Sequence, residues 1–183
     1  MVEYYFDIET TGCDKSKHKI ITIQYQRLNG FTGQPFGDLA ILKEWESSEK
    51  DILAKFIPIF IGEKPFDFIP VGDNLSFDFE FMRVKSEKYG LSKLEIDYLY
   101  HDKPTIDLTP ILIMVNKGSF KGYDKVWKSG LEAKGLRNEL VPQWYESKQY
   151  DKIIEYVTAE RDAFASVYMI LKREMPKFTE SMK

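Results

Sequence analysis

The spacing of apolar and polar residues divides the chain into strands first and alternating strands and helices later. Val2 to Ile8, Ile20 to Leu28 and part of Pro35 to Trp45 are rich in β-branched and aromatic residues, and Asn29-Gly30 and Thr32-Gly33 mark a turn between the second and third. This pattern predicts an antiparallel meander. Ser48-Glu49-Lys50-Asp51 is an N-cap-like start, and Ile52, Leu53, Phe56, Ile57 and Phe60 follow at helical spacing. Phe66 to Gly72 reads as a buried fourth strand, Ser76 to Tyr89 as a helix closed by Gly90, and Pro104 to Leu108 as a short strand. Pro110 to Asn116 starts another helix, and the stretch to Tyr145 mixes helix and loop. A final helix is expected from about Tyr150 to Arg173, stopping before Pro176. The order implies an α/β domain on a mixed sheet. No repeat, low-complexity tract or linker interrupts it, so residues 1–183 read as a single domain.

Composition narrows the function classes. The 183 residues are 43% hydrophobic, enough for one substantial core. No apolar run approaches the ~20 residues of a membrane span, and no apolar segment follows a basic start, so a cytoplasmic protein without membrane contact is expected. Cys13 is the one cysteine, which excludes an intramolecular disulfide, and with only His18 and His101 a His/Cys zinc site is not supported. The net charge of -3 argues against a uniformly basic nucleic-acid coat. Charge is nevertheless concentrated locally: Lys117, Lys121, Lys125, Lys128, Lys134 and Arg137 face only Asp124 and Glu132, with Phe120, Tyr123 and Trp127 interleaved. Such a segment suits phosphates and bases, or equally a solvated helix face over core aromatics.

Candidate chemistry begins at Phe6-Asp7-Ile8-Glu9-Thr10-Thr11-Gly12. In a strand, residues i and i+2 share a face roughly 6.5 to 7 Å apart, so Asp7 and Glu9 can aim oxygens at one hard cation. Taken alone, they are also consistent with two solvated acids at a strand end. Gly72-Asp73-Asn74-Leu75-Ser76-Phe77-Asp78 lies where the fourth strand hands over to a helix, with Asp78 in the first helical turn, where the helix end favours a carboxylate even without metal.

These two segments together, Phe6 to Gly12 and Asn74-x-x-Phe77-Asp78, resemble the first two motifs of the DEDD superfamily of 3′-5′ exonucleases, whose fold is ribonuclease H-like. Leu42 to Phe56, with Trp45-Glu46-Ser47-Ser48-Glu49 ahead of a helix, looks most like the exonuclease domain of family B DNA polymerases. The resemblance implies a mixed five-stranded sheet flanked by helices. It also implies two Mg²⁺ or Mn²⁺ ions: Asp7 bridging both, Glu9 and the fourth acid completing the water-activating ion, and Asp78 holding the second through water.

The family's third motif carries the fourth acid on a C-terminal helix, preceded by Tyr four residues earlier or His five residues earlier. This chain departs from both. Tyr156-x-x-x-Glu160 keeps the Tyr spacing but has Glu for Asp; Asp162-Ala163-x-Ala165-Ser166 keeps the Asp but lacks the Tyr or His. At ~100° per residue the two acids lie on opposite helix faces. Glu160 falls in the stripe of Ile153, Val157, Phe164, Val167, Tyr168 and Leu171, while Asp162 falls among Glu155, Ser166 and Arg173. The wheel therefore favours Glu160, with Asp162 as the alternative. Tyr156 is either the water-orienting tyrosine of the Tyr branch or a core tyrosine. By the same resemblance, the backbone of Thr10, Thr11 and Gly12 approaches the terminal nucleotide, Phe77 wedges or stacks beside it, and Asn74 bonds the nucleic acid or pins its loop; Lys121, from the basic segment above, is a further candidate contact. Asp107 is similar to a recurrent acid after the second motif, with a strand-end structural role preferred.

The implied activity is metal-dependent 3′-5′ hydrolysis of single-stranded DNA or RNA ends, alone or beside a polymerase or repair partner acting in trans. The alternatives are a nucleic-acid-binding domain with weakened or lost catalysis, which the altered third motif suggests, and a ribonuclease H-like endonuclease.

Overall fold

The computed structural model describes residues 1–91 and 93–181, with side chains through Lys177. Five strands form one mixed sheet: β1 (Glu3–Thr10), β2 (Ile20–Arg27), β3 (Ala40–Lys43), β4 (Ile69–Gly72) and β5 (Ile106–Asp107), in the order β3-β2-β1-β4-β5. β1, β2 and β3 pair antiparallel, and β4 and β5 run parallel to β1. This is the α/β architecture that the pattern implies. β3 and β4 are shorter than their apolar runs suggest, because Trp45 and Phe66 sit in 3-10 turns, Glu44–Glu46 and Pro65–Asp67.

Alternation along β1 decides what each sheet face becomes. Phe6 and Ile8 enter one core with α1 (Glu49–Ile61) and α2 (Leu75–Tyr89). Phe6 lies 5.2 Å from the Phe56 ring and 6.4 Å from that of Phe79, both nearly parallel to it. Ser48 caps α1 by accepting the Asp51 N–H at 3.1 Å, and Gly90, at φ 62°, closes α2. Gly72 is required at the β4-to-α2 corner, since a Cβ there would lie 2.7 Å from the Phe6 carbonyl oxygen and 2.5 Å from Leu75 Cδ2.

The opposite face carries Tyr5, Asp7 and Glu9. It is covered by α6 (Tyr150–Ser181), with Tyr5 and Val71 packed against Phe164 and Tyr168. Between β5 and α6 run α3 (Thr109–Val115), α4 (Lys125–Glu132) and α5 (Val141–Glu146). Their buried residues pack along the first half of α6, Trp144 by Tyr156 and Trp127 by Phe164.

Two expectations need correction or completion. The last helix does not stop before Pro176 but continues to Ser181. Proline removes one N–H from the ladder, yet Arg173 to Lys177 are all exposed, so the orphaned carbonyl can hydrogen-bond to solvent. A π-helical turn, Tyr98–Asp102, occupies a stretch without a clear period; it brings Lys103 under the end of α1, where its ammonium bonds the Phe60 carbonyl and, at 3.2 Å, that of Pro65. No helix among the described residues is long and apolar enough to cross a membrane.

A buried junction fixes α1, α2 and the start of β2 together. Glu49 accepts the Ile20 N–H at 2.7 Å and the Tyr89 hydroxyl at 2.6 Å, and Lys85 Nζ stands 3.8 Å away. Glu49→Ala would strand a buried ammonium and a backbone N–H, so it is expected to lower unfolding free energy by about 3–5 kcal/mol. Urea denaturation measures this; a loss under about 1 kcal/mol, the scale of an exposed pair, would contradict the assignment.

Candidate metal-binding acid cluster

The cluster forms where β1 outruns its parallel neighbour. β4 pairs only with Glu3 to Tyr5 of β1, leaving the second half of β1 without a partner on that edge. Asp78, in the first turn of α2, fills the gap by accepting the Ile8 N–H at 3.0 Å. This is the crevice beyond the carboxyl ends of parallel strands where α/β folds place their sites. Asp107 fixes its wall, accepting the N–H groups of Asn74, Leu75 and Thr109 at 3.1, 3.0 and 2.9 Å. That is a structural role, the one preferred for it from sequence.

α6 brings Glu160 onto this crevice. Asp7, Glu9 and Glu160 each offer a carboxylate oxygen within 4.8 Å of the others; Asp7 is half-buried, whereas Glu9 and Glu160 are buried. Asp162 points away: its side chain is 66% exposed and pairs with the neighbouring Arg161 at 3.0 Å. Asp78 is buried beside Asp7 but outside the group of three. Tyr156 is buried one turn before Glu160, its hydroxyl without a hydrogen-bond partner.

Two contributors to the site did not emerge from motif reasoning. Lys128 of α4 reaches Glu160 Oε1 at 2.6 Å, and Gln24 of β2 donates through Nε2 to Asp7 Oδ2 at 2.7 Å. Both had a signal. Lys128 falls on the same helical stripe as buried Trp127 and Leu131, and Thr22, Gln24 and Gln26 alternate along β2, opposite Glu9, Asp7 and Tyr5.

The remaining candidates lie around the cluster. Thr10 Oγ1 donates to the Gly12 carbonyl at 2.9 Å, and Thr11 exchanges bonds with Lys19. Gly12 sits against the His18 ring, 2.7 Å from where a Cβ would be. Asn74, at φ 58°, and Phe77 line an open groove with Cys13, Lys15, Glu80 and Tyr100. Lys121 is exposed in the loop before α4 and does not join the acids.

Burial and mutual repulsion dominate the electrostatics. Burial, then the charge of Glu160, push the Asp7 carboxyl up to about 8, although Lys128 and the Gln24 hydrogen bond pull the other way. Burial raises Glu9 well above the carboxylate range, with Glu160 and Asp7 adding to it; burial and then Asp7 do the same to Asp78. Burial would lower Lys128, but Glu160, then Asp7 and Glu9, hold its ammonium firmly protonated. Burial first, then Glu160, also raise Tyr156, so its phenol keeps its proton. The donor set fits a hard divalent cation. It is all oxygen, it carries three carboxylates against one ammonium, and the buried Glu160 Oε2, Gln24 Oε1, Thr22 Oγ1 and Tyr156 hydroxyl have no partner.

The sign of the pH dependence follows. A carboxyl raised by folding favours the native state while protonated, so that stabilisation is full below pH ~4 and is lost as pH rises through about 8. In EDTA the melting temperature is expected to fall from pH 5 to pH 9, more steeply in Lys128→Met, and Mn²⁺ should restore it most at the alkaline end. A flat profile with no metal response would contradict the electrostatics.

Neither a protein-family model nor a curated protein sequence matches the chain. Solved structures do. Escherichia coli exonuclease I in complex with a dA16 oligonucleotide aligns at a TM-score of 0.50 and 15% identity over 66% of this chain and 31% of that one. The zinc-ion-bound form of the Escherichia coli exonuclease I–single-stranded DNA complex aligns at 0.51 and 14% over 63% and 29%. The chain thus spans less than a third of those chains. At that identity the likeness concerns the fold: the five-stranded α/β sheet with its flanking helices is shared with an exonuclease.

Proposed function

We propose that this chain is a metal-dependent 3′-5′ exonuclease that hydrolyses phosphodiester bonds at single-stranded DNA or RNA ends. The observation that carries the reading is the convergence of Asp7, Glu9 and Glu160 within 4.8 Å, with Asp78 alongside, all from one chain. Asp7, Glu9 and Glu160 would hold one Mg²⁺ or Mn²⁺ ion, and Asp7 with Asp78 a second. Such a pair, when bound, supplies a hydroxide-like nucleophile and neutralises charge on the phosphate and leaving oxygen.

The other roles belong to the chain's own groups. Gln24 fixes one Asp7 oxygen and leaves the second for a ligand. In the metal-free chain burial, then Glu160, keep the proton on Tyr156, and its hydroxyl would orient an attacking water as a donor. No histidine stands in the cluster, so His-type base assistance is absent and the Tyr branch is the nearer parallel. Thr10 to Gly12 would meet the terminal nucleotide through the backbone, Phe77 through its ring, Asn74 and Lys121 through polar contacts.

One observation favours a second reading, a nucleic-acid-binding domain with weakened catalysis. Lys128 already supplies a cation to Glu160, the acid that replaces the family's aspartate. Degradation of end-labelled single-stranded DNA and RNA with Mg²⁺, Mn²⁺ or EDTA separates the two, and circular substrates separate both from an endonuclease.

Asp7→Asn and Glu9→Gln are each expected to reduce Mn²⁺-dependent degradation by at least the roughly 100-fold that even outer partners of metal ligands can cost. Glu160→Gln should approach that loss, while Asp162→Asn should stay within about threefold, the difference between a buried ligand and an exposed charge. Retained activity in Asp7→Asn would sink the site, and the reverse order at positions 160 and 162 would reassign the fourth acid.

A further inference from the structure

Of the basic segment between α3 and the acid cluster, the reading above uses only Lys121 and Lys128, and most of its charges are unpaired. Among the described residues Lys117, Lys121, Lys125, Lys134 and Arg137 form no ion pair; only Lys128 does, with Glu160. Elsewhere among the described residues some lysines are ion-paired, as Lys15, Lys19, Lys43 and Lys172 are, and others, such as Lys50, Lys55 and Lys152, are not, but no other segment gathers as many unpaired cations. Five unpaired cations within one short segment of a chain of net charge -3 make a local attraction for a polyanion beside a cluster of acids that would repel one.

The segment is also shaped. Lys117, Gly118 and Gly122 take left-handed conformations, and Asn116 Nδ2 holds the turn by donating to the carbonyls of Ser119 and Lys121 at 2.7 and 3.3 Å. This presents Phe120 outward: the residue is 68% exposed, yet its ring centroid lies 5.1 Å from that of Tyr123, and Tyr123 is anchored in the core with Trp127. An aromatic ring held from behind and open in front is a stacking surface. From there Lys125 and Lys128 follow three apart on α4, neighbours on a helix surface at roughly 5–6 Å between Cβ atoms, and Lys128 ends on Glu160 at 2.6 Å. Phe120, the exposed Lys121 and Lys125, and Lys128 thus follow one another along the chain up to the acid cluster.

We propose that residues 117–128 are the docking track for a single-stranded polynucleotide, with Phe120 stacking a base and Lys121 and Lys125 contacting successive phosphates as the strand approaches the acids. The proposal deepens the nuclease reading by naming the surface that captures the strand. An anionic membrane could take the same lysines and bury the ring, but it does not follow Lys128 to Glu160, whereas a single strand can.

The test uses the whole chain in EDTA, so that binding is read without cleavage, with fluorescein-labelled dT20 followed by polarisation across a salt series. Lys121→Met with Lys125→Met should weaken binding and reduce the slope of log K against log salt by about 1.4, two phosphate contacts at ~0.7 each. Phe120→Ala should weaken binding by roughly 5- to 150-fold, the scale of one base–aromatic stack, with the slope unchanged. Lys148→Met with Lys152→Met, exposed lysines outside the segment, is the control. Wild-type affinity and slope in the first variant, an equal loss in the control, or tighter binding of a duplex of the same length would each overturn the track. Binding that behaves as expected in a chain with no metal-dependent cleavage would overturn the nuclease reading and leave the track standing. Cleavage with no measurable capture of dT20 would do the opposite.

Discussion

Three carboxylates held within 4.8 Å in a buried setting repel one another, and much of the surrounding structure is arranged so that they stay together. Two of them are fixed by the β1 ladder, which no side-chain repulsion can unzip without breaking the centre of the sheet. The third rides on α6, whose position is set on both sides of Glu160: Tyr168 and Lys172 bind Glu3 at 2.8 and 2.7 Å, and Tyr156 packs toward Trp144. Lys128 then offsets part of the repulsion directly. Hydrophobic packing of Phe164 against Tyr5 and Trp127 supplies the non-directional force that presses α6 onto the sheet despite the charges beneath it.

The groups that hold the architecture are also those the proposed chemistry would use, which is why the crevice cannot be divided into a scaffold and a site. Asp78 closes the free edge of β1 and places a carboxylate beside Asp7. Asp107 has no metal role to argue for, yet by capping the start of α2 it determines where Asp78 stands. Glu49, buried some way from the acids, ties the entry of β2 to α1 and α2, and so anchors one end of the loop that begins at Thr11.

What could be read from the chain alone followed from periodicity. Asp7 and Glu9 share a face because a strand repeats every two residues, and Glu160 separates from Asp162 because two residues on a helix turn by about 200°. The fold class was legible for the same reason: the meander and the later alternation are carried by apolar spacing. Lys128 was harder, because its charge suggests solvent, and only its place between Trp127 and Leu131 on a short helix argues otherwise. Gln24 depended on the β1–β2 register, which a single strand's sequence does not contain. The π-helical turn at Tyr98–Asp102 and the passage of α6 through Pro176 reflect tertiary contacts and solvent access, neither of which has a local period.

The ion pair between Lys128 and Glu160 has a consequence for the order of assembly. An ammonium from the chain itself gives the acids a counter-ion as soon as α4 meets α6, so completing the fold does not have to wait for a metal. Any cation arriving later meets a site that is already partly neutralised and has to exceed what the lysine offers. A monovalent ion brings no more charge than the ammonium, whereas a divalent one does, so the internal counter-ion would set a valence threshold on what could take its place.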